Sequence, residues 1–546
     1  MAASAHLDTF ARDRLPPPEA QPEFRFDLPE LQFGERLNCA TALLDAVVAD
    51  GRGDRRCVRA PGGPDWTYAE LQRQVDRIAH VLVADLGLVP GNRVLLRAAN
   101  KPMLVACWFA VVKAGGIAVG TMPLLRAKEL AQMIERGQIS HALCDEALRG
   151  ELDTARAQSP TLRQMRTFGG GGSDGLEVLI ARHDRPFVAV DTAADDTCLL
   201  AFTSGTTGVP KATMHFHRDV MAACVCFPQH VLRAEPDDVF IGSPPLAFTF
   251  GLGGLTLFPM SIGASTVLLE KAAPADLARA TRELGSTVMF TAPTSYRAMA
   301  EVARIERIAV AHGGTLRKCV SAGEVLPAAT RVLWREATGI EMIDGIGATE
   351  MFHIFISADE AHSRDGATGQ VVPGYQACVM DEDGREVPPG TVGRLAVKGP
   401  TGCRYLDDPR QTDYVQHGWN VTGDTYRRDG DGYFWYLARS DDMIVSSGYN
   451  IGAPEVENAL LSHPAVAECA VIGVPCPERG QKVKAFVVLA GGAQASDALV
   501  AELQAHAKAQ IAPYKYPREI EFVEALPKTA TGKLRRSELR ITSRAK

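Results

Sequence analysis

Lys and Arg are never gathered into more than short pairs in this 546-residue sequence, and its formal net charge is -7. A nucleic-acid partner, which would ask for a basic patch, is therefore not expected. Apolar stretches such as 103–112 are too short or too interrupted for a membrane-spanning helix, which takes about 20 residues, so no membrane partner is expected either. The opening MAASAHLDTFARDRLPPPEA has acidic residues and three prolines where a secretory signal needs a basic start and an apolar run. A cytoplasmic protein is expected. The twelve cysteines form no C-x-x-C pair, and Cys224 and Cys226 are one residue apart, which argues against a disulfide framework and for small core hydrophobes. Repeats and low-complexity tracts are also missing.

What is present is the balance of an ordinary globular chain, 46% hydrophobic and 23% charged, in a length that suggests more than one domain. TCLLAF (197–202), TVMFTAP (287–293) and KCVSAG (318–323) are short β-forming apolar runs ending in Gly, Pro or Ser, and read as buried strands. Between such runs lie helical patterns, among them KPMLVACWFAVVKAGG, stopped at Gly115, and LPAATRVLWREAT (326–338). Alternation of this kind predicts α/β layers. The cluster Gly169 to Gly172 reads as a surface loop. From residue 393 the texture shifts to strand-and-turn runs, then to a compact αβ segment, which places a domain boundary near Arg439 to Asp442.

The strongest chemical signal is Thr203-Ser204-Gly205-Thr206-Thr207-Gly208-Val209-Pro210-Lys211, directly after a strand. Its glycines let backbone amides turn toward an anion, its hydroxyls add donors, and Lys211 supplies a compact positive charge. The spacing is not that of the Walker loop. The segment resembles the phosphate loop of the acyl-adenylate-forming superfamily, which comprises acyl-CoA synthetases, peptide-synthetase adenylation domains and firefly-type luciferases.

Further motifs of that superfamily follow in its order. Ser321-Ala322-Gly323-Glu324 resembles the loop along the adenine and acyl side, and Asp344-Gly345-Ile346-Gly347-Ala348-Thr349-Glu350 the loop whose threonine meets the α-phosphate and whose glutamate holds Mg²⁺. Asp424 and Arg439 match the pair that takes the ribose, Asp441 the hinge, Gly448 the turn beside the pantetheine tunnel, and Lys533 the catalytic lysine. The resemblance implies a large N-terminal domain of layered α/β subdomains (1–440) and a smaller mobile α+β domain (441–546). It also implies ATP, Mg²⁺ and coenzyme A as the reaction's partners, in a monomer or homodimer.

The acid is suggested by Pro244 to Gly253, where the acyl pocket of the superfamily begins: Phe248 and Phe250 describe a flat apolar slot and Thr249 its polar handle. Ala292 and Gly347 are expected in the same pocket. The run from Asp344 to Phe355, with His353, is similar to benzoate-CoA ligases, and together with the N-terminal FDLPELQFGERLNCATALLD the GATEMFHIFIS run resembles their 2-aminobenzoate members. A small aromatic acid is the expected substrate, 2-aminobenzoate before benzoate. A medium-chain fatty acyl-CoA synthetase and an adenylation domain serving a carrier protein stay open as alternatives.

Lys533→Ala is expected to lose about 10²-fold or more in adenylation, the cost of removing one preorganised donor. Thioester formation from supplied acyl-adenylate is expected to survive better. Single-turnover measurement of the two half-reactions checks this, and an equal loss in both refutes the assignment.

Overall fold

The structure, a computed structural model, describes residues 3–203, 210–306, 314–439, 442–446, 449–476, 479–528 and 534–545. Layered α/β sheets followed by a smaller α+β unit make up the chain, as its alternating pattern implies. In the six-stranded sheet the spatial order is Gln164–Phe168, His141–Asp145, Arg93–Arg97, Ile117–Thr121, Thr197–Thr203 and Lys211–Phe216. All pairs are parallel except the last, a hairpin. The nine-stranded sheet has at its centre the parallel run Met342–Gly347, Lys318–Ser321, Val288–Thr291, Val239–Gly242 and Ser265–Val267.

Parallel sheets need cover on both faces, so their strands read as continuous apolar runs. Helix Pro102–Lys113 supplies part of that cover. Every residue in it but Met103 is buried, and Gly115 beyond it has φ +73°, the left-handed value that ends a helix. One apolar core takes in this helix together with Leu96 of the six-stranded sheet and Phe240 and Val288 of the nine-stranded one. Among the described residues no helix is long and apolar enough to cross a membrane.

Two five-stranded sheets follow. The first runs through Gln376–Met380, Val392–Lys398, Val415–Gln416, Trp419–Arg428 and Phe434–Arg439, and the second lies in 444–522 around the hairpin Val466–Cys476 and Gly480–Leu489. Residues 440 and 441, where the boundary was expected, lie outside the described residues. Chain on either side meets at Gly452, where a Cβ would come within 2.3 Å of the Leu437 carbonyl oxygen, and at the Arg297 guanidinium, which donates to the Val466 carbonyl at 3.3 Å. The glycines 169 to 172 form an exposed loop, and all twelve cysteines are free, ten of them buried.

A third contact ties the first five-stranded unit to the six-stranded sheet. Arg404, fully buried, donates to Asp219 Oδ2 at 2.7 Å and lies over the rings of Phe24 and Phe216 at 4.1 and 3.9 Å. Breaking a buried ion pair from one side leaves a charge with no compensation. Arg404→Ala is expected to cost about 3–5 kcal/mol of stability, read as a lower urea midpoint. A midpoint within experimental error of the wild-type value would contradict it.

Candidate active site

The motifs converge because of where parallel strands end. Strands Val239–Gly242, Val288–Thr291, Lys318–Ser321 and Met342–Gly347 run in one direction, and each candidate loop begins where one of them stops: Pro244 onward, Ala292, Ala322-Gly323-Glu324 and Ala348 to Glu350. A cleft outside the carboxyl ends of such strands is the usual binding place in open α/β sheets. Register places Thr291, Ser321 and Asp344 side by side on three neighbouring strands, and Ser243 shares a 2.5 Å hydroxyl contact with Thr291. Glu324 reaches back to Thr294, with its Oε2 at 3.4 Å from the backbone N–H. Loss of solvent pushes the Asp344 carboxyl up to about 7.

The phosphate loop is framed by a hairpin. Thr203 ends one strand and pairs across it with Lys211, which starts the next. Ser204, Gly205, Thr206, Thr207 and Gly208 lie outside the described residues, as do Asp441, Gly448 and Lys533. The Thr203 hydroxyl is buried and has no hydrogen-bond partner among the described residues. Lys211 Nζ lies 3.5 Å from Glu350 Oε1 and donates to the Tyr405 hydroxyl at 2.7 Å.

Thr349 and Glu350 occupy a single 3-10 turn, Thr349–Met351, and the chain leaves it through a strained residue. Phe352 has φ +70° and ψ -53°, and the His353 N–H donates to the Met351 carbonyl at 2.9 Å, which makes a γ-turn of the rare hand. His215 braces it: its Nε2 donates to the Thr349 carbonyl at 2.8 Å, and its ring meets Phe352 edge-on with centroids 5.0 Å apart. Strain of this kind persists only where the surroundings over-determine it.

Asp424 and Arg439, assigned to the ribose by resemblance, are direct cross-strand partners, with Nη1 3.1 Å from Asp424 Oδ1 and 3.1 Å from the Thr422 carbonyl. Gly423 between Thr422 and Asp424 has φ +76°, and a Cβ there would stand 3.1 Å from the Arg439 guanidinium.

Of the expected acyl-pocket residues, the structure brings together Phe250, Gly347 and His353. The His353 ring lies 5.5 Å from Phe250, 4.4 Å from Phe258, 6.3 Å from Phe290 and 5.9 Å from Phe227, centroid to centroid. Glycines make room: a Cβ at Gly253 would lie 2.5 Å from His353 Cδ2, and one at Gly347 2.7 Å from the His353 carbonyl oxygen. Thr249 is buried as the first residue of the helical turn Thr249–Leu252, and Phe248 precedes it, half-buried. Neither has a recorded contact to His353 among the described residues, and Ala292 is half-buried at its strand end. Because a carbonyl only accepts, the 3.3 Å contact from His353 Nε2 to the Phe250 carbonyl fixes the proton on Nε2, and Nδ1 is a buried acceptor with no partner among the described residues. His215, Phe258, Phe290 and Tyr405 carry no motif and are found only by position.

The family model for the AMP-binding enzymes matches residues 46–404, and the model for their C-terminal domain matches residues 455–533. The chain belongs to the AMP-binding enzyme family. The benzoate–CoA ligase of Thauera aromatica is 36% identical to it over 516 residues, 94% of this chain and 97% of that protein. The 4-hydroxybenzoate–CoA/benzoate–CoA ligase of Rhodopseudomonas palustris is 33% identical over 92% of this chain and 94% of its own. Among solved structures, the anthranilate CoA ligase AuaEII in complex with anthranoyl-AMP superposes with a TM-score of 0.89 at 33% identity, over 94% of this chain and 99% of that one. A benzoate CoA ligase from Burkholderia xenovorans LB400 gives 0.84 at 32% identity, over 92% and 100%. The sequence motifs thus led to the right family, and this AMP-binding enzyme is of the acyl-adenylate-forming kind.

Buried histidines give this AMP-binding enzyme a pH dependence. Burial lowers His215 and His6 to about 4 and His353 to about 3. Below 6.5 the unfolded chain takes up protons that the folded chain refuses, so stability held at and above pH 6.5 is lost as pH falls toward 4. At about 1.4 kcal/mol per pKa unit, each group carries roughly 3–5 kcal/mol in full. Asp344, raised, acts oppositely: its folded carboxyl keeps a proton that the unfolded one has released, so its share falls as pH rises from 3.8 toward 7. Three groups outweigh one, and the urea midpoint is expected to drop between pH 7.5 and 5. His215→Phe and His353→Phe are each expected to flatten that slope; an unchanged slope in both would contradict the buried neutral histidines.

Proposed function

We propose that this AMP-binding enzyme is an ATP-dependent aryl-CoA ligase acting on 2-aminobenzoate in preference to benzoate. The carboxylate attacks the α-phosphorus of ATP and pyrophosphate leaves; the thiol of coenzyme A then attacks the acyl-adenylate carbonyl, giving the thioester and AMP. Positioning and charge stabilisation do most of the work in the first step. Lys211 and the loop from Thr203 meet the β- and γ-phosphates, Thr349 the α-phosphate, Asp424 and Arg439 the ribose, and the loop from Ser321 to Glu324 the adenine side. Lys533 supplies positive charge in adenylation, and rotation about Asp441 exchanges it for the turn at Gly448 in thioester formation.

Glu350 suits Mg²⁺: it is a hard oxygen donor, its Oε1 is already oriented by Tyr405, and no hydrogen bond is recorded to its other oxygen among the described residues. When bound there, the ion neutralises charge on the phosphates.

The observation that carries the choice of acid is the aromatic slot with spare polar capacity. Half-buried Phe250 packs on Phe290, with buried Phe258 behind it, and among the described residues neither His353 Nδ1 nor the Thr249 hydroxyl has a hydrogen-bond partner. An unmade hydrogen bond at a buried acceptor is costly, so a ring amino group that donates to it is favoured over a bare ring. A longer aliphatic acid is the second reading, because an apolar cavity lined by Leu104, Val105, Trp108, Leu246 and Leu252 adjoins the same segment.

Pyrophosphate release with ATP, Mg²⁺ and coenzyme A, across 2-aminobenzoate, benzoate, 2-hydroxybenzoate, cinnamate and hexanoate, tests both readings. The expected kcat/KM for 2-aminobenzoate exceeds that for benzoate by about tenfold, from one or two hydrogen bonds of about 1 kcal/mol each. His353→Leu and Thr249→Ala are expected to bring that ratio toward one. Turnover of hexanoate above every aryl acid would replace the aryl reading with the aliphatic one.

A further inference from the structure

Three residues from three sheets' worth of chain meet in one hydrogen-bonded line. Lys211 Nζ donates to the Tyr405 hydroxyl at 2.7 Å, and that hydroxyl donates to Glu350 Oε1 at 2.5 Å. The directions are forced, since an ammonium only donates and an ionised carboxylate only accepts. Lys211 itself stands farther from the carboxylate, at 3.5 Å, and over the Tyr405 ring at 4.7 Å. The phenol is thus the closer partner of each charge.

Tyr405 is held from every side. It is 1% exposed, its ring meets Tyr414 edge-on with centroids 6.0 Å apart, and its backbone bridges to Thr213. On either side of it the Met214 N–H donates to the Arg404 carbonyl and the Leu406 N–H to the Ala212 carbonyl, both at 2.8 Å. The segment 404–406 is in effect one more strand beside Lys211–Phe216, which is why a residue so far along the chain reaches the phosphate-loop lysine. A group this fixed can orient a carboxylate; an exposed Lys–Glu pair alone could not.

We propose that Tyr405 is a positioning residue: its hydroxyl anchors Glu350 Oε1, presents the other carboxylate oxygen to a divalent cation, and keeps its hold when Lys211 leaves for a nucleotide phosphate. Without it, Lys211 and Glu350 would close on each other, and the charge needed for phosphate and the charge needed for metal would cancel. The inference rests on the reading of Glu350 as the metal-holding carboxylate, and not on the choice of acid. Partners that orient a metal ligand are typically worth 10- to 100-fold in metal affinity.

The test is Mn²⁺ binding, followed by electron paramagnetic resonance, to full-length enzyme saturated with α,β-methylene-ATP, a nucleotide whose α–β bridge cannot be cleaved and which therefore cannot donate its adenylyl group. Tyr405→Phe is expected to weaken Mn²⁺ about tenfold or more and to recover most of its kcat at high metal, with the KM for the acid unchanged. Tyr405→His, which can still offer a ring N–H, is expected to regain part of the affinity; a merely structural role would show no such rescue. Tyr414→Phe, which removes a buried hydroxyl that has no hydrogen-bond partner among the described residues, is expected to bind Mn²⁺ as the wild type does. Wild-type Mn²⁺ affinity in Tyr405→Phe, together with its loss in Glu350→Gln, overturns the role of Tyr405. Wild-type affinity in Glu350→Gln overturns the metal reading itself.

Discussion

Parallel strands must be covered on both faces, and in this enzyme two largely parallel sheets meet that demand in a common core. Helix Pro102–Lys113, apolar all round, is buried in it. With the central strands running the same way, their carboxyl ends line one edge, and the candidate loops all leave from that edge, the usual binding place in open α/β sheets. The rest of the site depends on that convergence. Loops from Pro244, Ala292, Ala322 and Ala348 are separated by long stretches of chain yet become neighbours because their strands pair in register.

Within that frame the polar groups are placed by rigid backbone and not by long flexible side chains. The Thr203–Lys211 and Asp424–Arg439 pairs are both cross-strand partners, so the register that buries one face of each strand also sets their separation. Glu350 sits on a strained turn that His215 and Phe352 hold in place. Strain there has a structural counterweight in the buried aromatic and imidazole packing around it. The aromatic cluster follows the same logic, with glycines at 253 and 347 admitting the His353 ring among phenylalanines.

Much of this was legible in advance. The apolar runs at 197–202, 287–293 and 318–323 did become buried strands, and KPMLVACWFAVVKAGG did become a buried helix ended at a left-handed Gly115. Short-range chemistry explains that success, since strand and helix periodicity and glycine stops are local. The Thr203–Lys211 and Asp344–Glu350 runs pointed to the family that the matching family model shows, because their residue types recur at fixed spacing along the chain.

Residues that act from outside a motif were not. Tyr405, His215, Phe258 and Phe290 sit in unremarkable stretches, and their importance comes from partners tens to hundreds of positions away. His353 was visible as a histidine in an apolar run, but its tautomer, its neutrality and its spare acceptor follow only from the Phe250 carbonyl and the rings packed on it. The sequence by itself determined the elements, the order of the motifs and the family, because those are properties of neighbours along the chain. The tertiary structure alone decided which side chains share the slot, which charges are held apart and by what, because those depend on strand register and burial, which bring together residues the chain keeps distant.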